Sequence, residues 1–331
     1  MTKRIEAAKM PAHVSIMGQI ESAGDTKIDI PDMSLNIGGH GGGHILKEIL
    51  DWDPVEDEDG TLDGEMSLGD DIYIYAVADS SGIAKLVASK NKTAPDGYST
   101  SESRRIGGFH FGRVRTIDQA YDESADLDRR IIPNSCWDLR HRPKCDPTGM
   151  VEVIPDSVWM DIYLSSEDGT DWPDTVPVSE YGATPISGDD GYNLYYDYIR
   201  LAKNAHKRLP LHAEWIAAAY GVPQGATDAG GRVSTGEHSD YGFECVSCLN
   251  LDQPSGNLWQ TNSDVVESGG WNGTNTGKDE DNDHGETYLD RVLRAGGDWN
   301  STSEAGARCV SRLYPWLVRS RHGLRCACDS L

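Results

Sequence analysis

Apolar and polar residues alternate in short runs along the N-terminal part of the chain. His13-Val-Ser-Ile-Met17 and Lys27-Ile-Asp-Ile30 carry the period of two that sends successive side chains to opposite faces of a strand. Asp71-Ile-Tyr-Ile-Tyr-Ala-Val77 alternates over a longer run, and Ile83 to Ser89 predicts a second strand. Pro95-Asp-Gly-Tyr98 predicts a turn, because proline presets φ and glycine accepts positive φ. The period changes in Arg208-Leu-Pro-Leu-His-Ala-Glu-Trp-Ile-Ala-Ala-Ala-Tyr-Gly221. There Ala213, Ile216, Ala217 and Tyr220 recur at helical spacing. Pro210 suits the first turn, Glu214 lies near the positive helix end, and Gly221 and Pro223 stop the helix. The acidic, glycine-containing stretch from Asp51 to Asp70 predicts a linker or exposed loop.

Composition narrows the class. The chain has 331 residues, enough for two domains with separate cores. Its 30 basic and 54 acidic residues give a formal charge of −24, which repels nucleic acid and anionic membrane. Solubility accounts for most of that acidity. Clusters of Asp, Asn and Gly also favour calcium, as a weaker option. No apolar run reaches membrane-span length, and Met1-Thr-Lys-Arg-Ile-Glu6 is too polar for a secretion signal. The glycine run Gly38-Gly-His-Gly-Gly-Gly43 lacks the Lys-Ser/Thr of a phosphate loop and predicts a turn.

The motifs fall in an informative order. The helix string resembles the R-L-P-x-x-A-E-W signature of the formylglycine-generating-enzyme family, whose domain has a C-type-lectin-like fold. Gly149-Met-Val-Glu-Val-Ile-Pro155 with Trp159-Met160, then Gly256-Asn-Leu-Trp-Gln260, Arg291-Val-Leu-Arg-Ala-Gly-Gly-Asp-Trp299 and Ser320-Arg-His-Gly-Leu-Arg-Cys-Ala327 resemble further signatures of that family, in its order. The enzymes' two catalytic cysteines are replaced by Ser301 and Gly306. A hydroxyl cannot stand in for a thiolate that binds Cu(I), so oxidase chemistry is not expected.

A second resemblance is more specific. Asp298-Trp-Asn-Ser-Thr-Ser-Glu-Ala-Gly-Ala-Arg308, Ser311-Arg-Leu-Tyr-Pro315 and His322-Gly-Leu-Arg-Cys-Ala-Cys-Asp329 resemble the variable proteins of diversity-generating retroelements. In those proteins, adenine mutagenesis of AAC codons diversifies set positions. The matching residues here are Arg312, Leu313, Tyr314, Leu317, Arg319, Arg321 and His322, all products of a mutated AAC codon. Upstream, Ser103-Arg-Arg-Ile-Gly-Gly-Phe-His-Phe-Gly112 resembles a segment preceding the lectin-like domain in phage tropism determinants. Ser135-Cys-Trp-Asp-Leu-Arg-His-Arg-Pro-Lys-Cys145 and Asp161-Ile-Tyr-Leu164 resemble the opening of that domain.

These resemblances imply an α+β chain in which small β-rich N-terminal domains precede a C-type-lectin-like C-terminal domain. The expected divisions are 1–50, a β-rich assembly segment; 51–128, a β-sandwich-like tail domain; and 129–331, the ligand-binding domain, with its variable region at 296–325. The expected function is a phage tail-fibre or tail-tip receptor-binding protein, carried in the virion and made in the host cytoplasm. Its expected partners are a host-surface protein or glycan, other tail proteins and two further copies in a homotrimer. The alternatives are a cellular surface-display protein of the same fold and, behind it, an oxidase.

The expected ligand-binding residues are Asp298, Asn300, Ser301, Ser303, Arg312, Leu313, Tyr314, Trp316, Leu317, Arg319, Arg321 and His322, with no catalytic residues, no metal ligands and no cofactor. Tyr, Trp and Arg dominate binding hot spots, and the arginine cluster suggests a carboxylate or phosphate on the receptor, with aromatic stacking equally open. Arg312, Leu313, Tyr314, Leu317, Arg319 and Arg321 are expected to be exposed on one face, beside Asn300 and Ser301. Trp215, Trp259, Trp299 and Arg325 are expected to be buried anchors, as are Trp137 and Trp159. Seven cysteines leave at least one without an intramolecular partner. Cys245, Cys248, Cys326 and Cys328 could be drawn as a zinc site, but buried thiols are the preferred reading. Asp138 and His141 could be drawn as a catalytic pair, but a structural hydrogen bond is preferred.

Overall fold

The computed structural model describes residues 9–10, 12–39, 42–266 and 291–331. Part of the glycine run and the N-terminal hexapeptide lie outside the described residues. Among the described residues the chain is β-rich, with six small sheets and two α-helices, α1 (Tyr196–Asn204) and α2 (His212–Ala218). No helix among them is long and apolar enough to cross a membrane.

The alternating run forms the strand Asp71–Val77, at the centre of a five-stranded sheet between Ser103–Val114 and Lys85–Ser89. Both faces of this strand are buried, which explains its mixture of aliphatic and aromatic residues. Ile72, Ile74 and Ala76 join an N-terminal core with Ile28, Ile30, Met33 and Leu35. Tyr73, Tyr75 and Val77 face the opposite way, onto Trp137, Met150, Trp159 and Cys328. The second set ties the sheet to the C-terminal half of the chain.

The acidic stretch from Asp51 to Asp70 is not a linker. Trp52 and Leu62 lie in the N-terminal core. The Ala88 amide donates to the Asp57 carbonyl and the Asp59 amide to the Ala88 carbonyl, at 2.9 and 3.1 Å. The Glu58 carboxylate accepts from the Leu62 and Gly64 amides, at 2.6 and 2.7 Å. The acidic side chains here cap turns, a local use of charge that composition cannot distinguish from solvation.

The C-terminal half is built by strands distant in sequence. Met150–Ile154 pairs with Val158–Asp161, which pairs in turn with the terminal strand Ala327–Asp329. A four-stranded sheet runs in the order Gly306–Leu313, Arg291–Gly296, Trp259–Val266, His322–Gly323. Helix α2 packs on both systems. Its buried side is Glu214, Trp215, Ala218 and Ala219, whereas Ala213, Ile216, Ala217 and Tyr220 face outward. Burial thus follows the large Trp215 ring and the small alanines that admit close packing, not the stripe with the most regular apolar spacing. Pro210 precedes the helix, and Glu214 caps it by accepting the Leu211 amide at 2.8 Å.

The signature motifs meet at one buried point. The Gln260 Oε1 accepts from the Trp215 indole N–H at 2.9 Å and from Arg325 Nε at 2.8 Å. Arg325 is fully buried, and its other nitrogens donate to the carbonyls of Asp161, Ile162, Asp252 and Gln253. One hydrogen-bonded hub therefore joins the helix, the Gly-Asn-Leu-Trp-Gln segment and the terminal Gly-Leu-Arg-Cys segment. The paired glycines of Arg-Ala-Gly-Gly-Asp-Trp have their own reason. Gly296 sits at φ 94°, where a Cβ would stand 2.5 Å from the Pro254 carbonyl oxygen.

Candidate functional site

The segment after strand Gly306–Leu313 returns to the sheet through a loop whose backbone is held at several points. The Gly188 amide donates to the Arg319 carbonyl at 3.2 Å and the Leu194 amide to the Leu317 carbonyl at 2.9 Å. The Trp259 amide donates to the Arg321 carbonyl at 3.0 Å, and Tyr198 Oη to the His322 carbonyl at 2.8 Å. A Cβ on Gly188 would fall 2.3 Å from the Arg319 amide nitrogen, so only glycine permits this approach. The loop is thus anchored through its main chain, which leaves its outward side chains free to differ.

A cavity of about 450 Å³ opens beside this loop, with walls of mainly polar surface. Asp298, Asn300, Ser301, Leu313, Arg319, Arg321 and His322 line it, together with Trp259, Arg294, Glu304 and Ser320. Seven of the residues expected from the sequence therefore converge on one space. Arg312 and Ser303 are exposed outside its lining, and Tyr314, Trp316 and Leu317 are partly buried. Tyr314 stacks on Trp316 with ring centroids 4.9 Å apart. The Arg291 guanidinium lies 4.1 Å from the Tyr314 ring centroid and donates to its hydroxyl at 2.7 Å.

Burial departs from expectation at several positions. Arg312, Arg319 and Arg321 are exposed, but Leu313, Tyr314 and Leu317 are only partly so. His322 and Asp298 are buried, at 3% and 4% exposure, and form the inner wall of the cavity. His322 sits on a strand parallel to Trp259–Val266, not on the open loop. Asp298 accepts from the Asn300 amide and the Ser301 hydroxyl, each at 3.0 Å. Trp299, expected as a buried anchor, is only partly covered, whereas Trp215, Trp259 and Arg325 are buried.

Charge in the cavity is unbalanced. The Arg294 guanidinium lies 4.2 Å from the Trp259 ring centroid and contacts His322 Nε2 and the Ser311 hydroxyl. Burial pulls Arg294 down to about 10. Burial, followed by the charges of Arg294, Arg319 and Arg321, pushes His322 down to about 2, so this imidazole is neutral. Arg321 Nε stands 3.5 Å from Asp298 Oδ2. Beside Glu304 and Ser320, the contributors that sequence reasoning missed as site residues are Arg294 and Trp259. Both lie inside motifs that mark fold anchors, and only the three-dimensional placement shows that they also face the cavity.

The positions of the enzymes' cysteines do not suit copper. Ser301 is engaged with Asp298, and Gly306 offers no ligand atom, so no pair of soft sulfurs stands there. The four cysteines of the conceivable zinc site are dispersed. Cys245 belongs to the core around Trp215, Cys326 to the core around α1, and Cys328 packs with Cys145 beside Trp159, while Cys248 contacts the Thr116 carbonyl. The Asp138 carboxylate accepts from the Arg140 and His141 amides, at 2.7 and 2.9 Å, which is a structural role.

Residues 52–138 match the family model of the Mtd second domain. The chain is 29% identical over 287 residues to the "Tail fiber receptor-binding protein" of Bordetella phage BPP-1, over 80% of this chain and 72% of that protein. Its structure resembles the Major Tropism Determinant M1 variant with a TM-score of 0.72 at 24% identity, covering 96% of this chain and 84% of the other. For the P3c variant the TM-score is also 0.72, at 23% identity, covering 97% and 86%. The chain therefore has the fold of those variants, and the likeness to tropism determinants read from the sequence is borne out. These relatives are named for receptor binding and tropism, not for catalysis.

Proposed function

We propose that the chain is a phage tail-fibre receptor-binding protein that presents a diversified ligand-binding surface for attachment to the host. The observation that carries this reading is the extended similarity to a phage tail-fibre receptor-binding protein, which spans 80% of this chain. The site supports it. Of the seven residues matched to diversified codons, Leu313, Arg319, Arg321 and His322 line one cavity, and Tyr314, Leu317, Arg319 and Arg321 lie on a loop fixed by backbone hydrogen bonds. A fixed loop backbone limits the ordering entropy lost on binding.

In this reading the protein is a non-enzymatic component of the virion tail. Its layout is a β-rich assembly segment at 1–50, a tail domain at 51–128 and an α+β, C-type-lectin-like binding domain at 129–331. A homotrimer would raise weak single-site binding to useful avidity. Asp298 and His322 shape the cavity, while Arg312, Arg319, Arg321, Tyr314, Trp316 and Leu317 make the receptor contacts. Adsorption competition tests the reading. Purified protein should bind host cells and reduce adsorption of the parent phage. Protein that binds no host cell, yet converts cysteine to formylglycine in a sulfatase-type peptide supplied with Cu(I), would overturn it.

A further inference from the structure

The cavity contains a cation, Arg294, that no carboxylate among the described residues contacts directly, the nearest charge acting on it being Asp298. Arg294 is partly buried against Trp259, and its side-chain neighbours are the neutral His322 and the Ser311 hydroxyl. Among the described residues no carboxylate lies within ion-pair distance of it, and its Nε is buried without a hydrogen-bond partner. A cation withdrawn from water without a directly paired counter-charge is costly. Arg319 and Arg321 line the same cavity. Asp298 is engaged by Ser301, Asn300 and Arg321, and Glu304 stands exposed at the rim. Three guanidinium groups thus face two carboxylates, a local excess of one positive charge in a chain of net charge −24.

We infer that the cavity binds the carboxylate of an acidic sugar on the host surface. This inference rests on the adhesin reading and names the chemistry of its ligand. A carboxylate fits the planar guanidinium fork and supplies the direct contact that Arg294 lacks among the described residues. A phosphate dianion would bring twice that charge beside Asp298 and Glu304. The walls also favour a sugar over an acidic peptide side chain. Ser320 and Asn300 offer mixed donors and acceptors, and the two carboxylates can accept from ring hydroxyls. A glutamate or aspartate side chain has no donor for those acceptors. The volume, about 450 Å³, lies in the range of small-molecule sites.

Calorimetric titration of the full-length protein with D-glucuronate, D-galacturonate and N-acetylneuraminate tests the inference, with glucose, acetate, inorganic phosphate and a glutamate-rich peptide as controls. At least one carboxylated sugar should bind at least about tenfold more tightly than every control. Arg321→Gln, at an exposed position, and Arg294→Gln should each weaken that binding by about tenfold or more, with Arg321→Gln leaving the melting temperature unchanged. Binding to none of the carboxylated sugars, or equal or tighter binding of glucose, phosphate or the peptide, overturns the inference. Host-cell adsorption measured in parallel separates the two claims. Adsorption that no carboxylated sugar inhibits overturns the ligand class and leaves the adhesin reading intact. Sugar binding without host adsorption does the reverse.

Discussion

Arg325 and Arg294 are both withdrawn from bulk water, and the chain treats them in opposite ways. Arg325 is fully buried, and Gln260 and the carbonyls of Asp161, Ile162, Asp252 and Gln253 accept from all of its nitrogens. Arg294 has a neutral histidine, a serine hydroxyl and an aromatic face, with one nitrogen unpartnered. The first arrangement is complete within the chain and serves only the fold. The second is incomplete, and incompleteness beside a cavity points to a ligand. The same residue type therefore marks structure in one place and binding in the other, and the difference lies in who supplies the partner.

Breaking the complete region should have the largest effect. Trp215→Ala removes a fully buried ring and strands Gln260, so unfolding by denaturant should show a loss of about 3–5 kcal/mol. Trp299→Ala, at a partly covered position, should cost less, about 1–2 kcal/mol. Equal losses at the two positions would mean that the hub is not the dominant anchor of this half.

The sequence made the two regions legible to different degrees. The hub was visible as motifs, because Arg208-Leu-Pro, Gly256-Asn-Leu-Trp-Gln260 and Gly323-Leu-Arg-Cys326 are strings whose chemistry is used together. What the strings could not show is that Trp215, Gln260 and Arg325 touch. The strand Asp71–Val77 was legible in full from its period of two. Helix α2 was found, but its apolar spacing marked the outward stripe of Ala213, Ile216, Ala217 and Tyr220, because alanine gives periodicity no direction. On the binding side, the loop was legible from the matched positions. The burial of His322 and Asp298 was not, since it depends on strand pairing with Trp259–Val266 and on turn hydrogen bonds. Arg294 was hidden for the same reason, as a strand residue whose face only the sheet determines.

Two smaller effects sharpen the contrast. Gly188→Ala places a Cβ against the Arg319 backbone, an overpacking that should cost about 1–3 kcal/mol and displace the loop. Adsorption should then fall more than stability, and a variant that adsorbs normally would show that the position of Arg319 is unimportant. The second concerns pH. Burial, then Arg294, Arg319 and Arg321, holds the folded-state pKa of His322 at about 2, below its ordinary value near 6.5. The unfolded chain takes up this proton first, so the histidine's contribution is present above pH ~6.5 and is lost as pH falls toward 2. Wild type should lose up to about 1.4 kcal/mol per pH unit more than His322→Gln in that window. Parallel stability–pH curves would show that the imidazole is not held neutral.

The most direct test of the division between scaffold and binding loop is Tyr314→Ala, measured at once by thermal unfolding and by host adsorption. Tyr314 is partly buried, stacked on Trp316 and capped by Arg291. The variant should keep a melting temperature within a few degrees of wild type, with adsorption weakened by about tenfold or more. A variant that unfolds, or that keeps full adsorption, would contradict it.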